Sequence, residues 1–402
     1  MWRGLGATLG LWAVGALMLR AIVVPPERCP PVTATSALSA TYAAADWIAR
    51  VQRPDGSYLY EYDRDRGEES LGYNVVRHAG VTMSLFQLAA AGGDGAMEPA
   101  DRGLRWMLDR QYRHADWSAL QDPVDGSVDV GASALMLAGL AQRRLATGDV
   151  QYDGMMRALS RYLVAMQLPD GAFLNSWDRE ANAPDPRFRS KYATGEAFWA
   201  LAMMHAMFPG EGWDAPTRKV ADYLSLHRDE VENQKFPPWA DQWAAYGLAE
   251  MATWDAATVP GGVRLSADNV TYARSLAERF GFLVRAESQR TDGTWSKLIH
   301  GRQARAAGMG TWVEALGSLY RLSLAEPRMA DMQGKLRERL VCSAGMLVDR
   351  QVTPAEAAGG AHPIVIEGAW FTEGVTRMDD QQHALSGLLR SRLAMGAGER
   401  TE

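Results

Sequence analysis

The chain has 402 residues, 42 Lys and Arg against 48 Asp and Glu, and a formal net charge of −6. That length suffices for a large core or a multi-unit fold, and basic residues scattered without a run exclude a nucleic-acid partner. The 14 tryptophans suit either packing between helices or a cleft that stacks on flat apolar faces, as sugar and terpenoid sites do.

The chain opens with an uncharged apolar run, Gly4 to Leu19, flanked by Arg3 and Arg20. At about 1.5 Å per residue it is slightly short for a full span, and "AIVV" beyond Arg20 extends it. Residues 1–24 therefore read as a signal-anchor or transmembrane helix. "VVPPERCPPV" is a stiff Pro-rich linker over 25–33. The body, 34–402, is then expected outside the cytoplasmic membrane, on its periplasmic or extracellular face, with the membrane contacted through the N-terminal helix. Cys29 and Cys342 suit that compartment. They either form one bridge from linker to body or remain two buried thiols.

Apolar periodicity and breakers predict twelve helices, near 34–53, 72–91, 98–112, 129–147, 151–167, 192–208, 214–228, 239–254, 267–287, 309–325, 329–351 and 378–395. No alternating strand pattern competes with them. Odd-numbered helices carry charge on one face, as in "PADRGLRWMLDRQ", the pattern of a helix with one wet side. Even-numbered ones, such as "DVGASALMLAGLA" and "YATGEAFWALAMM", are rich in small and apolar residues and can be enclosed on most sides. An outer ring around an inner ring follows.

Three outer helices end on one string: "QRPDGSY" at Gln52–Tyr58, "QLPDGAF" at Gln167–Phe173 and "QRTDGTW" at Gln289–Trp295. Asp-Gly is a turn signal, because Gly takes positive φ freely and Asp bonds its own backbone. Three copies at helix ends mark an internal repeat. "LQDPVDGSVDVG" and "PPWADQWAAY" hold the same place elsewhere. Six hairpins closed in a ring make an all-α (α/α)6 toroid. The chain resembles the superfamily of six-hairpin glycosidases, uronyl epimerases and terpenoid cyclases, and its Q-x-x-D-G-aromatic strings look like the repeat of the terpenoid cyclase branch. The likeness covers most of 34–396 and concerns architecture rather than activity.

In such a ring the inner helices run parallel, and their N-termini meet at one rim. Those starts hold Tyr73, Asn74, Arg77 and His78; Tyr192 and Glu196; Trp239, Asp241 and Trp243; Trp312 and Glu314; and Trp370, Glu373, Arg377, Asp379, Asp380 and His383. An acid in a first helical turn is ordinarily a cap. Several carboxylates facing one mouth repel, which raises at least one pKa and suits acid/base work. Glu196, Asp241, Glu314, Asp379, Asp380, His383 and His78 are accordingly the candidate catalytic groups. Tyr73, Asn74, Arg77, Tyr192, Trp239, Trp243, Trp312, Trp370, Glu373 and Arg377 are the candidate binding groups. His78 reads equally as a buried structural histidine. No metal or cofactor is expected, since no second His or Cys ligand lies near.

Three functions fit this rim. One is a carbohydrate-active enzyme, either a glycoside hydrolase with two carboxylates or a uronyl epimerase or lyase with an acid and a base. The second is a non-catalytic toroid that binds a glycan or protein. The third is a terpenoid cyclase, although "RMDD" lacks the first Asp of that branch's D-x-D-D. Lanthionine-synthetase-like and prenyltransferase-like readings fail on their zinc ligands.

Overall fold

The computed structural model describes residues 2–187, 189–236 and 238–396; residues 397–402 of the expected body lie outside them. All twelve expected body helices are present. The outer set is α1 (Ala34–Val51), α3 (Met97–Leu108), α5 (Asp153–Met166), α7 (Asp214–Leu226), α9 (Ala267–Ser288) and α11 (Gln333–Arg350). The inner set is α2 (Val75–Ala90), α4 (Val130–Thr147), α6 (Ala193–Met207), α8 (Gln242–Ala252), α10 (Ala306–Ala325) and α12 (Met378–Ser391). Each inner helix packs on the next, and α12 returns to α2, so the ring closes. Residues 130–141 of α4 and 193–205 of α6 are buried without interruption. Outer helices bury a single stripe, as Met156, Leu159, Ser160, Leu163 and Met166 do on α5.

Short strands decorate the corners. Glu61–Asp63 pairs antiparallel with Glu68–Glu69 and with Val375–Arg377. The loop before α2 is thereby stitched to the loop before α12, across the point where the ring closes. These strands are too short to show an alternating pattern in the sequence.

The repeated string is a clamp. Gln52 Nε2 donates to the carbonyls of Gly56 (3.0 Å) and Pro99 (3.0 Å), tying the end of α1 to the start of α3. Gln167 bonds Pro216 (2.9 Å) in the same way, tying α5 to α7. Gly56 and Gly171 sit at φ 90° and 101°. A Cβ on either would overlap the carbonyl oxygen of Arg102 or Lys219, so only glycine fits. Tyr58 and Phe173, the string's aromatics, are buried.

A further copy is split in the sequence. Gln351, at the end of α11, donates to Ala40 O (2.9 Å) and Gly368 O (2.8 Å). Gly368 has φ 81° against Ala43 O. "EGAW" at Glu367–Trp370 supplies the turn and the aromatic, but residues 352–366 intervene, carrying two short helices. Trp370 is this copy's aromatic, buried with Nε1 donating to Leu347 O (2.8 Å). Its expected place in a substrate cleft is therefore corrected.

The copy at Gln289 departs from the pattern. Gly293 is at φ −64° and opens a helix, Thr294–His300, so no clamp turn forms. The linker occupies this end of α9 instead, with Arg28 N donating to Ser288 O (2.8 Å). Glu27 pairs with Arg285 and Arg339, and Cys29 is disulfide-bonded to Cys342 of α11.

The N-terminal run is helical over Trp2–Val23. The expectation that it crosses a membrane is not met: no helix among the described residues is long and apolar enough to do so. Its uncharged stretch stops at Arg20, about 24 Å along, against a hydrocarbon core of about 30 Å.

Candidate functional site

Several rim residues spend their polar atoms on the fold. Asn74 caps α2 by accepting from Arg77 N (3.0 Å). Asp241 caps α8 through Trp243 N (2.9 Å) and Ala244 N (3.1 Å), and its other oxygen pairs with the buried Arg228. Asp380 accepts from Ala307 N (2.9 Å) and Arg377 N (3.0 Å) and pairs with Arg305, joining the starts of α10 and α12. Arg377 is held by Glu61 (2.6 Å). Glu373 is exposed and pairs with Arg302 (2.7 Å). Asp241 and Asp380 are caps and ion pairs that leave no oxygen for chemistry, as the ordinary role of acids in first turns requires.

His78 is a core histidine. Its Nδ1 meets Tyr73 Oη (2.6 Å), its Nε2 meets Gly103 O (2.9 Å), and its ring stacks on Trp106 at 4.1 Å. Nε2–H donates to the carbonyl, so Nδ1 accepts from the tyrosine. Full burial drives its pKa down to about 3, because the low-dielectric surroundings disfavour the cation. Neither nitrogen is open to a substrate. Tyr73, which also accepts from Tyr58 N (3.0 Å), is the second member of this core pair.

What remains forms a compact acid/base group. Glu314, fully buried two turns into α10, accepts from His383 Nδ1 at 2.9 Å, and its Oε1 has no partner. His383 Nε2 makes no hydrogen bond to the described residues. Burial opposes protonation of His383, but the charge and hydrogen bond of Glu314, with Asp379 and Glu196 behind them, raise its pKa overall. Trp243, stacked on Trp199, lies 6.0 Å from the imidazole, but it is buried in the core behind it, which corrects its expected place as a binding residue.

Glu196 sits opposite in electrostatic terms: its titration is lowered by His383 and raised by Asp241 and Asp129. The side chain is 4% exposed and makes no hydrogen bond to the described residues. Burial first, then Asp241, push its pKa up to about 8. Its Oε2 lies against Gly131 of α4, where a Cβ would displace it. Glu196 is therefore a protonated carboxyl at neutral pH.

Asp379 completes the rim with Arg77. Its Oδ2 meets Arg77 Nε (3.1 Å), and Arg77 Nη1 donates to Tyr60 Oη (2.6 Å). Tyr192 is 46% exposed and packs edge-on to Trp239 at 5.3 Å. Burial, then Asp241, Glu196 and Asp379, raise its phenol pKa. Trp312 precedes Glu314 by two residues, so it faces away from the dyad and packs at the core's edge.

Asp129, the residue before α4, was not legible as a site group. It accepts from Ser127 Oγ (3.1 Å) and Asn175 Nδ2 (3.3 Å). Burial raises its pKa to about 6. In the sequence it follows a corner string and reads as a cap. Tyr60, the buried Arg228 and the half-buried Arg305 were equally silent, because each acts through a partner distant in sequence.

No family model matches the sequence, and no curated protein matches it either. Solved structures do. A D-mannose isomerase aligns with TM-score 0.59 at 10% identity, covering 89% of this chain and 97% of that one. Cellobiose 2-epimerase from Spirochaeta thermophila gives 0.59 at 13%, covering 90% and 97%. The GH76A α-1,6-mannanase from Salegentibacter sp. gives 0.55 at 12%, covering 90% and 99%. At such identities the likeness concerns the fold alone, and that fold is the (α/α)6 toroid over the length of the described body.

Proposed function

We propose that the chain is a carbohydrate-active enzyme that moves protons on a sugar, an epimerase or isomerase acting next to a carbonyl or carboxylate carbon. The observation that carries this reading is Glu196. It is a buried, unpartnered carboxyl, protonated at neutral pH, and it is coupled to a histidine whose Nε2 is free. Epimerisation needs such an unlike pair. Nε2 of His383 takes the proton from the carbon beside the carbonyl and, as the imidazolium, gives a proton back to carbon from the enediol or enolate that results. Glu314 stabilises the imidazolium so formed, and the Glu196 O–H meets the charge that develops on the substrate oxygen. Arg77, Tyr60 and Tyr192 orient hydroxyls or a carboxylate at the mouth, and Trp239 gives a flat apolar wall.

The solved neighbours include sugar epimerases and isomerases, and this supports the substrate class. Hydrolysis is the second reading. It needs a second carboxylate beside Glu196; Asp241 and Asp380 are committed through both oxygens, and Asp379 keeps one unpartnered oxygen, Oδ1, while Oδ2 pairs with Arg77. A cyclase is disfavoured because Asp379 of "RMDD" is paired with Arg77 and Asp380 with Arg305, and the guanidiniums favour the ionised carboxylates over the acid form that protonates an alkene. An extracytoplasmic location remains part of the proposal, supported by the Cys29–Cys342 bridge.

Incubation with mannose, cellobiose and oligouronides in D2O, followed by proton NMR, tests the reading. Solvent deuterium should enter at the carbon beside the carbonyl or carboxylate, and a Glu196→Gln variant should abolish it. Release of shorter oligosaccharides without exchange would favour hydrolysis instead.

A further inference from the structure

Trp295 occupies the place that Tyr58, Phe173 and Trp370 hold in the other clamps. Those three are buried; Trp295 is 75% exposed. The helix that replaces the clamp turn, Thr294–His300, carries Trp295, Leu298 and Ile299 at i, i+3 and i+4, and all three point outward. Its amphipathicity is reversed: Ser296, on the inner side, accepts from Thr291 N (2.8 Å). A repeat aromatic has been withdrawn from the core and offered to the surroundings.

This face adjoins the linker that follows the N-terminal helix. Pro25 and Arg28 line one cavity of about 450 Å3 together with Trp295, Ser296, Ile299 and His300. Val24, one residue before Pro25, is exposed, as are Leu9, Leu11, Trp12, Val14, Leu17, Met18 and Leu19 on the helix itself. Arg20, Arg28 and Lys297 are exposed at the junction, and none forms an ion pair with the described residues. The linker between the two apolar pieces is fixed by the Cys29–Cys342 bond and by Glu27.

We propose that Trp295, Leu298 and Ile299, with the N-terminal helix, rest in the headgroup layer of an anionic lipid bilayer. The cavity wall is predominantly apolar, and its rim is cationic. That combination matches acyl chains below anionic headgroups, with Trp at the boundary. An N-terminal helix too short to span can still lie in the interface, and a second apolar contact adds its buried area to the attachment. The Thr294–His300 helix is the second. This inference does not depend on the catalytic reading.

Flotation of the full chain with vesicles of phosphatidylcholine and a minority of phosphatidylglycerol tests it. The parent protein should float, and amides of 294–300 should exchange more slowly when vesicles are present. Trp295→Ser with Leu298→Ser should weaken partitioning by about tenfold or more, with the melting temperature unchanged because both side chains are exposed. Leu145→Ser, an exposed residue on α4, should float as the parent does. Three results would overturn the proposal: a parent that stays in solution, a double variant that floats equally well, or unchanged exchange at 294–300. Self-association lost in the double variant, without flotation of the parent, would assign the face to a second copy of the chain.

Discussion

His383 Nδ1 donates to Glu314 Oε2 across 2.9 Å, linking α12 to α10 at the bottom of the mouth. The bond fixes which imidazole nitrogen faces the cleft and favours the charged ring, as an orienting carboxylate does. Glu314→Gln removes the charge and keeps the shape. Burial then dominates, so the His383 pKa should fall below that of the parent, seen by NMR titration of its ring protons. The pH–rate limb assigned to His383 should move down with it, and turnover should drop by about 10².

Glu196 gives a stability signature as well as a catalytic one. Its pKa stands near 8 in the fold against an ordinary value of 4.5. Between those values the folded state holds a proton that the unfolded chain has lost, so this group's contribution to stability falls as pH rises from 4.5 towards 8. Glu196→Gln should flatten that part of the stability–pH curve and raise the melting temperature near pH 8 relative to the parent. Turnover should fall by about 10² or more. A variant that kept both the parental pH curve and the parental rate would remove Glu196 from the mechanism.

The ring was legible because both of its signals are local. Helical periodicity separates wet outer helices from enclosed inner ones, and Gln-x-x-Asp-Gly records a clamp within one short stretch. The clamp at Gln351 escaped because residues 352–366 part the Gln from its Gly. The site was half legible. Spacing brings acids to helix starts, but the choice between cap and catalyst rests on partners such as Arg228 for Asp241 and Arg305 for Asp380, which the chain supplies from elsewhere. Glu196 and Asp241 both stand near inner-helix starts, and what separates them is one buried guanidinium. His78 was lost to the same cause: the carbonyl of Gly103 belongs to the next helix.

Asp241 and His78 should therefore behave as structural residues. Asp241→Asn leaves Arg228 buried with one charge partner fewer, at a cost of about 3–5 kcal/mol, while the folded fraction keeps turnover and shifts only the pH–rate limb of Glu196 downward, because the Asp241 charge helps to raise that pKa. His78 adds an acid limit. Its pKa is about 3 in the fold and 6.5 ordinarily, so below 6.5 the unfolded chain binds a proton that the fold refuses. Stability should fall as pH drops from 6.5 towards 3. Denaturant unfolding at several pH values, with turnover measured on the same preparations, checks both.

The clamps predict a contrast among glycines that the sequence alone would treat as equivalent. Gly56, Gly171 and Gly368 have φ of 90°, 101° and 81°, and a Cβ on each would strike a main-chain carbonyl of the neighbouring outer helix. A carbonyl on a packed helix cannot swing aside as a side-chain end can. Each Gly→Ala change should therefore cost at least about 1 kcal/mol, from the left-handed backbone together with the overlap. Gly293 belongs to the same string, yet it has φ −64° and meets nothing closer than Thr291 Oγ1 at 3.5 Å. Gly293→Ala should stay within about 0.5 kcal/mol of the parent, as surface substitutions do. Urea midpoints of the four variants decide the matter. Equal losses at all four positions would mean that the corner at Gln289 closes into the same clamp as the others, with Trp295 turned inward.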